Sequence, residues 1–159
     1  MRMKILGLKG KIEDIDAAIE KIKKYDCVIQ LMDARAIGGK RHVKHAVIHA
    51  LNAMKRNENI ANDLGIEICV RTAGERQISK ALDIVGIKDD TEEFCAVFLG
   101  CDEDIIEEFI KDFGFEKNNE VLKPNESYLK KLYNLGKEVE VVGVENALIE
   151  RTTLLTIEV

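Results

Sequence analysis

Positions 1–9 alternate loosely between apolar and polar residues and read as a first strand. Asp14 then caps an amphipathic helix that carries Ile15, Ala18, Ile19 and Ile22 on one side. Cys27 to Met32 is an apolar run of strand length. It leads through the irregular DARAIGG into a long helix from about Lys40 to Asn57, with Val43, Val47, Ala50, Leu51 and Met54 as its buried stripe. Ile66 to Thr72 reads as the third strand, and Arg76 to Val85 as a helix stopped by Gly86. Phe94 to Gly100 is the fourth strand, after which Asp102 caps a helix to about Phe113. Beyond Gly114 the pattern weakens: Pro124 and Asn125 begin a short helix to about Tyr133, and residues 144–157 fit a helix or a strand. Strands separated by helices predict an α/β fold of the α+β layered kind, a mixed sheet of about four strands with helices packed on it. The segment lengths leave parallel and antiparallel pairing open. With no internal repeat and no Pro/Gly/Ser linker, residues 1–159 are expected to form a single domain.

A chain of 159 residues supports one sizeable core. Its 46% apolar and 33% charged residues are those of a water-soluble protein, and the Glu/Lys-rich, proline-poor usage leans towards a heat-stable cytoplasmic one. The apolar runs fall short of the ~18 residues needed to cross a membrane. The opening MRMKILGLKG breaks into charge before a signal core forms, so neither membrane nor export is expected. Cys27, Cys69, Cys95 and Cys101 form no CxxC pair and mostly lie in apolar runs. They read as reduced, buried thiols rather than disulfides or a zinc site, and no metal or cofactor is expected. The net charge of −5 argues against indiscriminate nucleic-acid binding, but its distribution is uneven. Residues 34–57 contain no acid, whereas 89–120 hold twelve acids against Lys111 and Lys117. Such a basic patch can meet a phosphate chain while the acidic remainder limits how much is held.

Several enzyme signatures approach and fail. GLKGK at 7–11 lacks the first glycine of a phosphate loop and has Ile12 where Ser or Thr would meet magnesium. RTAGER at 71–76 resembles the acyl-CoA turn of acetyltransferases until Arg76 replaces the small residue that admits a pyrophosphate. A small acyl-CoA-dependent transferase using the Gly74 turn is therefore the alternative enzyme reading. His42, His45 and His49 share one helical face about 150° from the apolar stripe. They are expected to face solvent or a partner, as a solvated face, a ligand contact or a metal site, and not the core. Gly38 and Gly39 allow a close turn before Lys40 to His42, at a helix start whose free N–H groups favour an anion. Gly74, Arg76, Gln77 and Lys80 repeat that arrangement from another strand, and the two turns could line one groove at one sheet end. Residues 34–88 contain no aromatic, so a base there would rest on Arg, His or aliphatic faces. In GVENALIERTTLLTIEV, a helix would gather Val144, Ala147, Leu148 and Leu155 on one face and point Ile149 and Ile157 elsewhere, leaving apolar surface for a partner. Alternatively, Thr153 to Val159 forms a final strand.

LMDARAIGGKRHVKHA, Asn59 and Ala61, IEICVRTAGERQISKALDIVGI and ENALIERTTLLTI, taken in this order and spacing, resemble the small kinase-binding subunit of the KEOPS complex, the PRPK-binding protein family. The likeness spans nearly the whole chain and is archaeal in character. It is most specific at Gly74, Arg76, Gln77, Ile78 and Ala81, whereas 115–142 contribute little. The resemblance implies a non-enzymatic, cytoplasmic subunit of the machinery that makes threonylcarbamoyl-adenosine in tRNA. It implies binding to the complex's small atypical kinase/ATPase and recruitment of the single-stranded CCA end of tRNA. By position, Arg35, Gly38, Gly39, Lys40, His42, Arg71, Gly74, Arg76, Gln77 and Ile78 fall on the RNA side. Leu148, Ile149, Arg151, Leu154 and Leu155 fall on the kinase side.

Overall fold

A computed structural model describes residues 2–158. Its centre is a four-stranded sheet in the order β2-β3-β1-β4, formed by β1 (Met3–Lys9), β2 (Val28–Asp33), β3 (Glu93–Leu99) and the short β4 (Glu116–Lys117). The α+β layered architecture stands, but all three pairings are antiparallel rather than mixed. β3 joins β1 in the register Ile5↔Val97 and β2 in the register Leu31↔Ala96. Paired on both edges and covered on both faces, β3 has no polar side to show, which is why EFCAVFL runs apolar without alternation.

Helices cover the two faces unequally. Phe94, Ala96 and Phe98 point with Leu6, Leu8, Ile29 and Leu31 to a layer closed by α1 (Ile15–Ile22) and α5 (Glu103–Asp112), where Phe109 and Phe115 fill the centre. Cys95, Val97 and Leu99 point the other way. They meet α2 (Lys40–Lys55), α3 (Leu64–Ala73), α4 (Ile78–Val85) and the tail helix α8 (Val144–Glu158). α6 (Glu126–Leu132) and α7 (Glu138–Val142) form a smaller cluster beneath α8 through Leu129, Tyr133, Val139 and Leu148.

Two expectations are corrected and one open choice is settled. Ile66 to Thr72 is not a strand but most of α3, with Asp63 capping at Ile66 N and left-handed Gly74 ending it. Eight of its ten residues are buried, so no polar face exists to reveal the helical period. The tail is helical to Glu158, not a strand from Thr153. Finally, Cys27 and Cys101 form a disulfide. They flank the β2–β3 ladder, where Val28 faces Leu99, and this brings their Cα atoms to 5.3 Å across a sequence separation of 74. No local motif announces such a pair. Cys69 and Cys95 do remain free and enclosed, and burial pushes each thiol up to about 12.

Closing so long a loop stabilises the fold by about 4 kcal/mol in the chain-entropy model. Cys101→Ser is expected to lower Tm by about 10 °C. In the native wild type, a thiol reagent should label neither Cys69 nor Cys95. Under denaturing conditions it should count two thiols before reduction and four after, and four before reduction would dismiss the bridge.

Candidate functional site

The two glycine turns come together, but beneath α8 rather than around an open groove. Gly39, at φ +111, begins α2 in a conformation that L side chains rarely adopt. A Cβ there would strike the Glu145 carboxylate, and one on Gly38 would come within 2.5 Å of Leu148 Cδ1. Gly74, at φ +63, terminates α3, with Arg151 Cβ 3.2 Å from where its own Cβ would stand. The tail helix therefore lies across both turns, and the turn after Arg71 follows a helix instead of a strand. Arg151 covers one side of Gly74, and the turn ends a helix where the acyl-CoA turn follows a strand, so the geometry argues against the acyl-CoA reading.

The three histidines are likewise covered. His42 is fully buried, contrary to the expected outward face, because α2 packs against α3 and α8 as well as the sheet. Gly38 N–H donates to its Nδ1 at 3.0 Å, so the ring proton sits on Nε2, which donates to Thr72 O at 2.8 Å. Burial lowers its pKa to about 4, against the raising effect of the Thr72 carbonyl. His45 and His49 are half-buried and meet Thr153 and Thr156 of α8.

Arg71 is also enclosed. Its Nε donates to Glu67 Oε2 at 2.8 Å, Nη1 to Thr156 Oγ1 at 3.2 Å and Nη2 to Glu58 O at 3.3 Å. The other Glu67 oxygen accepts from Ile60 N and Ala61 N at 2.9 and 2.7 Å. Thr152 Oγ1 donates to Arg71 O at 2.7 Å and ties α8 to the same point. Arg71 and His42 thus hold the fold together and cannot reach RNA. Gly38 and Gly39 are buried as well, whereas Gly74 is only half-covered.

Arg35 is committed to a fork on Asp33, with Nε at 3.0 Å and Nη2 at 2.7 Å, and touches Asp90 at 3.2 Å. Burial alone would raise the Asp33 carboxyl, but the hydrogen bonds from Arg35 and Thr91 outweigh it and hold it below its usual range. Lys40, Arg76, Gln77 and Ile78 remain exposed. α4 begins at Ile78, so Arg76 precedes the helix instead of lying in its first turn.

On α8, Leu148 and Leu155 belong to the interior, where Leu155 joins the layer against the sheet and Leu148 the cluster with Tyr133. Ile149 and Arg151 are half-exposed, and Leu154 is 46% exposed. Ile157, outside the predicted set, is 73% exposed, and Val141 and Val142 add apolar surface nearby in sequence. A second apolar feature escaped the sequence altogether. A groove of about 630 Å³ opens where α1, β2, the start of α3 and the end of α4 meet, lined by Ile15, Ile19, Leu64, Leu82 and Ile87 with Lys23 also at the wall. Its parts are distant in sequence, so only their convergence reveals it. Ile78 lies one helical turn before Leu82 on the same face of α4.

Residues 10–156 match the family model described as kinase binding protein CGI-121. The chain belongs to the CGI-121 family. A curated relative, "Regulatory protein Cgi121" of Methanocaldococcus jannaschii, is 34% identical over 128 residues, covering 76% of this chain and 82% of the relative. The CGI-121 description is that of a kinase-binding, regulatory protein, and the chain is accordingly a non-enzymatic one. No helix among the described residues of this CGI-121 member is long and apolar enough to cross a membrane.

Buried His42 makes stability depend on pH. Its folded pKa of about 4 lies below the ordinary 6.5, so between these values the unfolded chain binds a proton that the folded one refuses. Its contribution is complete above pH 6.5 and is lost as pH falls to 4, by at most about 3 kcal/mol. Chemical denaturation across this window should show a shallower loss for His42→Gln than for the wild type. Equal slopes would contradict the buried neutral imidazole.

Proposed function

We propose that the chain is the non-catalytic subunit of a KEOPS complex. In this reading it binds the complex's small kinase/ATPase through the outer face of α8 and recruits tRNA by its single-stranded CCA end. The family's kinase-binding description supports the first half. The observation that carries its placement is the exposure of Leu154 and Ile157 on α8, with Ile149 half-exposed. A soluble chain that buries Leu148 and Leu155 on one side of a helix and leaves Leu154 and Ile157 to water has a partner for the second side. Each such side chain contributes roughly 1.5 to 3 kcal/mol on full burial. Leu148 and Leu155 act on this interface only by holding α8 in place.

The RNA reading rests on Lys40, Arg76, Gln77 and Ile78, the exposed part of the set implied by resemblance. Ile78 leads along α4 to Leu82 and the apolar groove, whose walls can sandwich a base in the absence of aromatic residues. Arg76 and Lys23 supply positive charge for the accompanying phosphates. Such a site takes a few unpaired nucleotides, since the acidic remainder of the molecule repels a longer chain.

Titration of the pure protein with tRNA carrying or lacking its terminal CCA should show at least tenfold weaker binding of the truncated RNA, about 1.4 kcal/mol. Ile78→Asp should abolish that difference, and equal binding of both RNAs by the wild type would end the recruiter reading. For the kinase face, Leu154→Glu combined with Ile157→Glu should leave the circular dichroism spectrum unchanged while preventing co-purification with the kinase subunit. Retention of the kinase by this variant would move the interface off α8.

A further inference from the structure

His45 and His49 carry a second possibility. Their Nε2 atoms lie 2.9 Å apart, and His45 Nε2 is also 3.0 Å from Thr153 Oγ1 on α8. Thr156 Oγ1 accepts from Arg71 Nη1 at 3.2 Å and shares one hydrogen with His49 Nδ1 at 2.8 Å, while Thr153 Oγ1 donates to Ile149 O at 3.1 Å. Between the two Nε2 atoms there is room for one proton, so whichever ring donates it, the other presents a lone pair to it. Once that proton moves to the far nitrogen of its ring, two imidazole lone pairs and a hydroxyl oxygen face one small space.

We propose that His45 and His49, with Thr153 Oγ1 as a weak third donor, form a binding site for one divalent late first-row metal ion that pins the tail helix to α2. Two nitrogen ligands at about 2.0–2.1 Å from an ion, with about 90–110° between them, stand ~2.9–3.4 Å apart, and the two Nε2 atoms already meet this spacing. On binding, the ring that carries the Nε2 proton moves it to its own Nδ1, and no net proton is released. In the bound state the Nδ1–H of His49 donates to Thr156 Oγ1, the outer-shell contact that fixes a metal-ligating imidazole in its tautomer.

The nearby cations oppose an ion, but each has its own carboxylate: Arg41 pairs with Glu145, Arg56 with Glu58 and Arg71 with Glu67. Among the described residues no group of three or more His, Cys, Asp or Glu surrounds one point, so water completes the coordination. Two imidazoles with few hard oxygens favour Cu²⁺ over Ni²⁺ and Zn²⁺, and exclude Mg²⁺ and Ca²⁺.

The test uses the full, untagged chain stripped by chelator at pH 7.5 and titrated calorimetrically with Cu²⁺, Ni²⁺ and Zn²⁺. One Cu²⁺ per chain is expected, with a paramagnetic resonance spectrum split by two imidazole nitrogens. Binding to His45→Gln and to His49→Gln should each weaken at least about tenfold, the lower bound set by loss of an outer-shell partner alone. Zn²⁺ should raise the Tm of the wild type and not that of either variant. No stoichiometric binding, a spectrum lacking two-nitrogen splitting, or undiminished binding in both variants would each overturn the site. The spectrum is read on the wild type and decides the question even where a variant folds poorly.

Discussion

A buried ion pair between Glu67 and Arg71 is the constraint around which this molecule closes. Removing two charges from water costs several kcal/mol per ion, and their attraction offsets that only when every remaining hydrogen-bonding position is filled. Here the positions are filled from three directions: the 58–61 loop supplies Glu58 O, Ile60 N and Ala61 N, α3 carries both charges, and α8 presents Thr156. Among the described residues no buried side-chain polar atom lacks a partner. Removing either charge would strand the other, so the loop, α3 and the tail helix are held as one cooperative unit.

This constraint assigns the two sides of α8 different tasks. Its inner side carries Leu148, Thr152 and Leu155 against Gly38, Arg71 and the sheet-side core, and cannot leave without exposing the ion pair. The outer side, with Leu154 and Ile157 exposed, is open to a partner. α3 separates this side from the groove: its C-terminal half meets α8 through Arg71, and its N-terminal residues Leu64 to Ile66 line the groove. The ten-residue α3 thus stands between the surface proposed for the kinase and the one proposed for a nucleotide end. The proposed function therefore does not set the two partners in competition for one surface.

Much of this was legible residue by residue. The caps at Asp14 and Asn125, the stripe of α2 and the apolar run of β3 all announced themselves, because each depends on neighbours within one or two turns. α3 was not legible, because a helix buried on nearly all sides shows no polar face and its Ile- and Val-containing core resembles a strand. The histidine face failed for a related reason. The helical wheel placed it correctly, opposite the stripe on the sheet, but could not show that α8 would arrive to cover it. Cys27 and Cys101 were equally silent, because strand pairing, not spacing, joins them.

The sequence by itself determined the family, most of the helices, three of the four strands, the glycine turns and the presence of excess apolar surface in the tail. These follow from local periodicity, capping chemistry and motif order, which need no knowledge of where distant segments lie. Only the tertiary structure decided which of the candidate RNA-side residues lie at the surface. Arg71 and His42 left the candidate RNA surface for the interior, Arg35 was committed to Asp33, and Arg76, Gln77 and Ile78 stayed outside. The physical reason is that burial belongs to the packing of α8 on α2 and α3, an arrangement between segments up to 108 residues apart, and no local pattern encodes it.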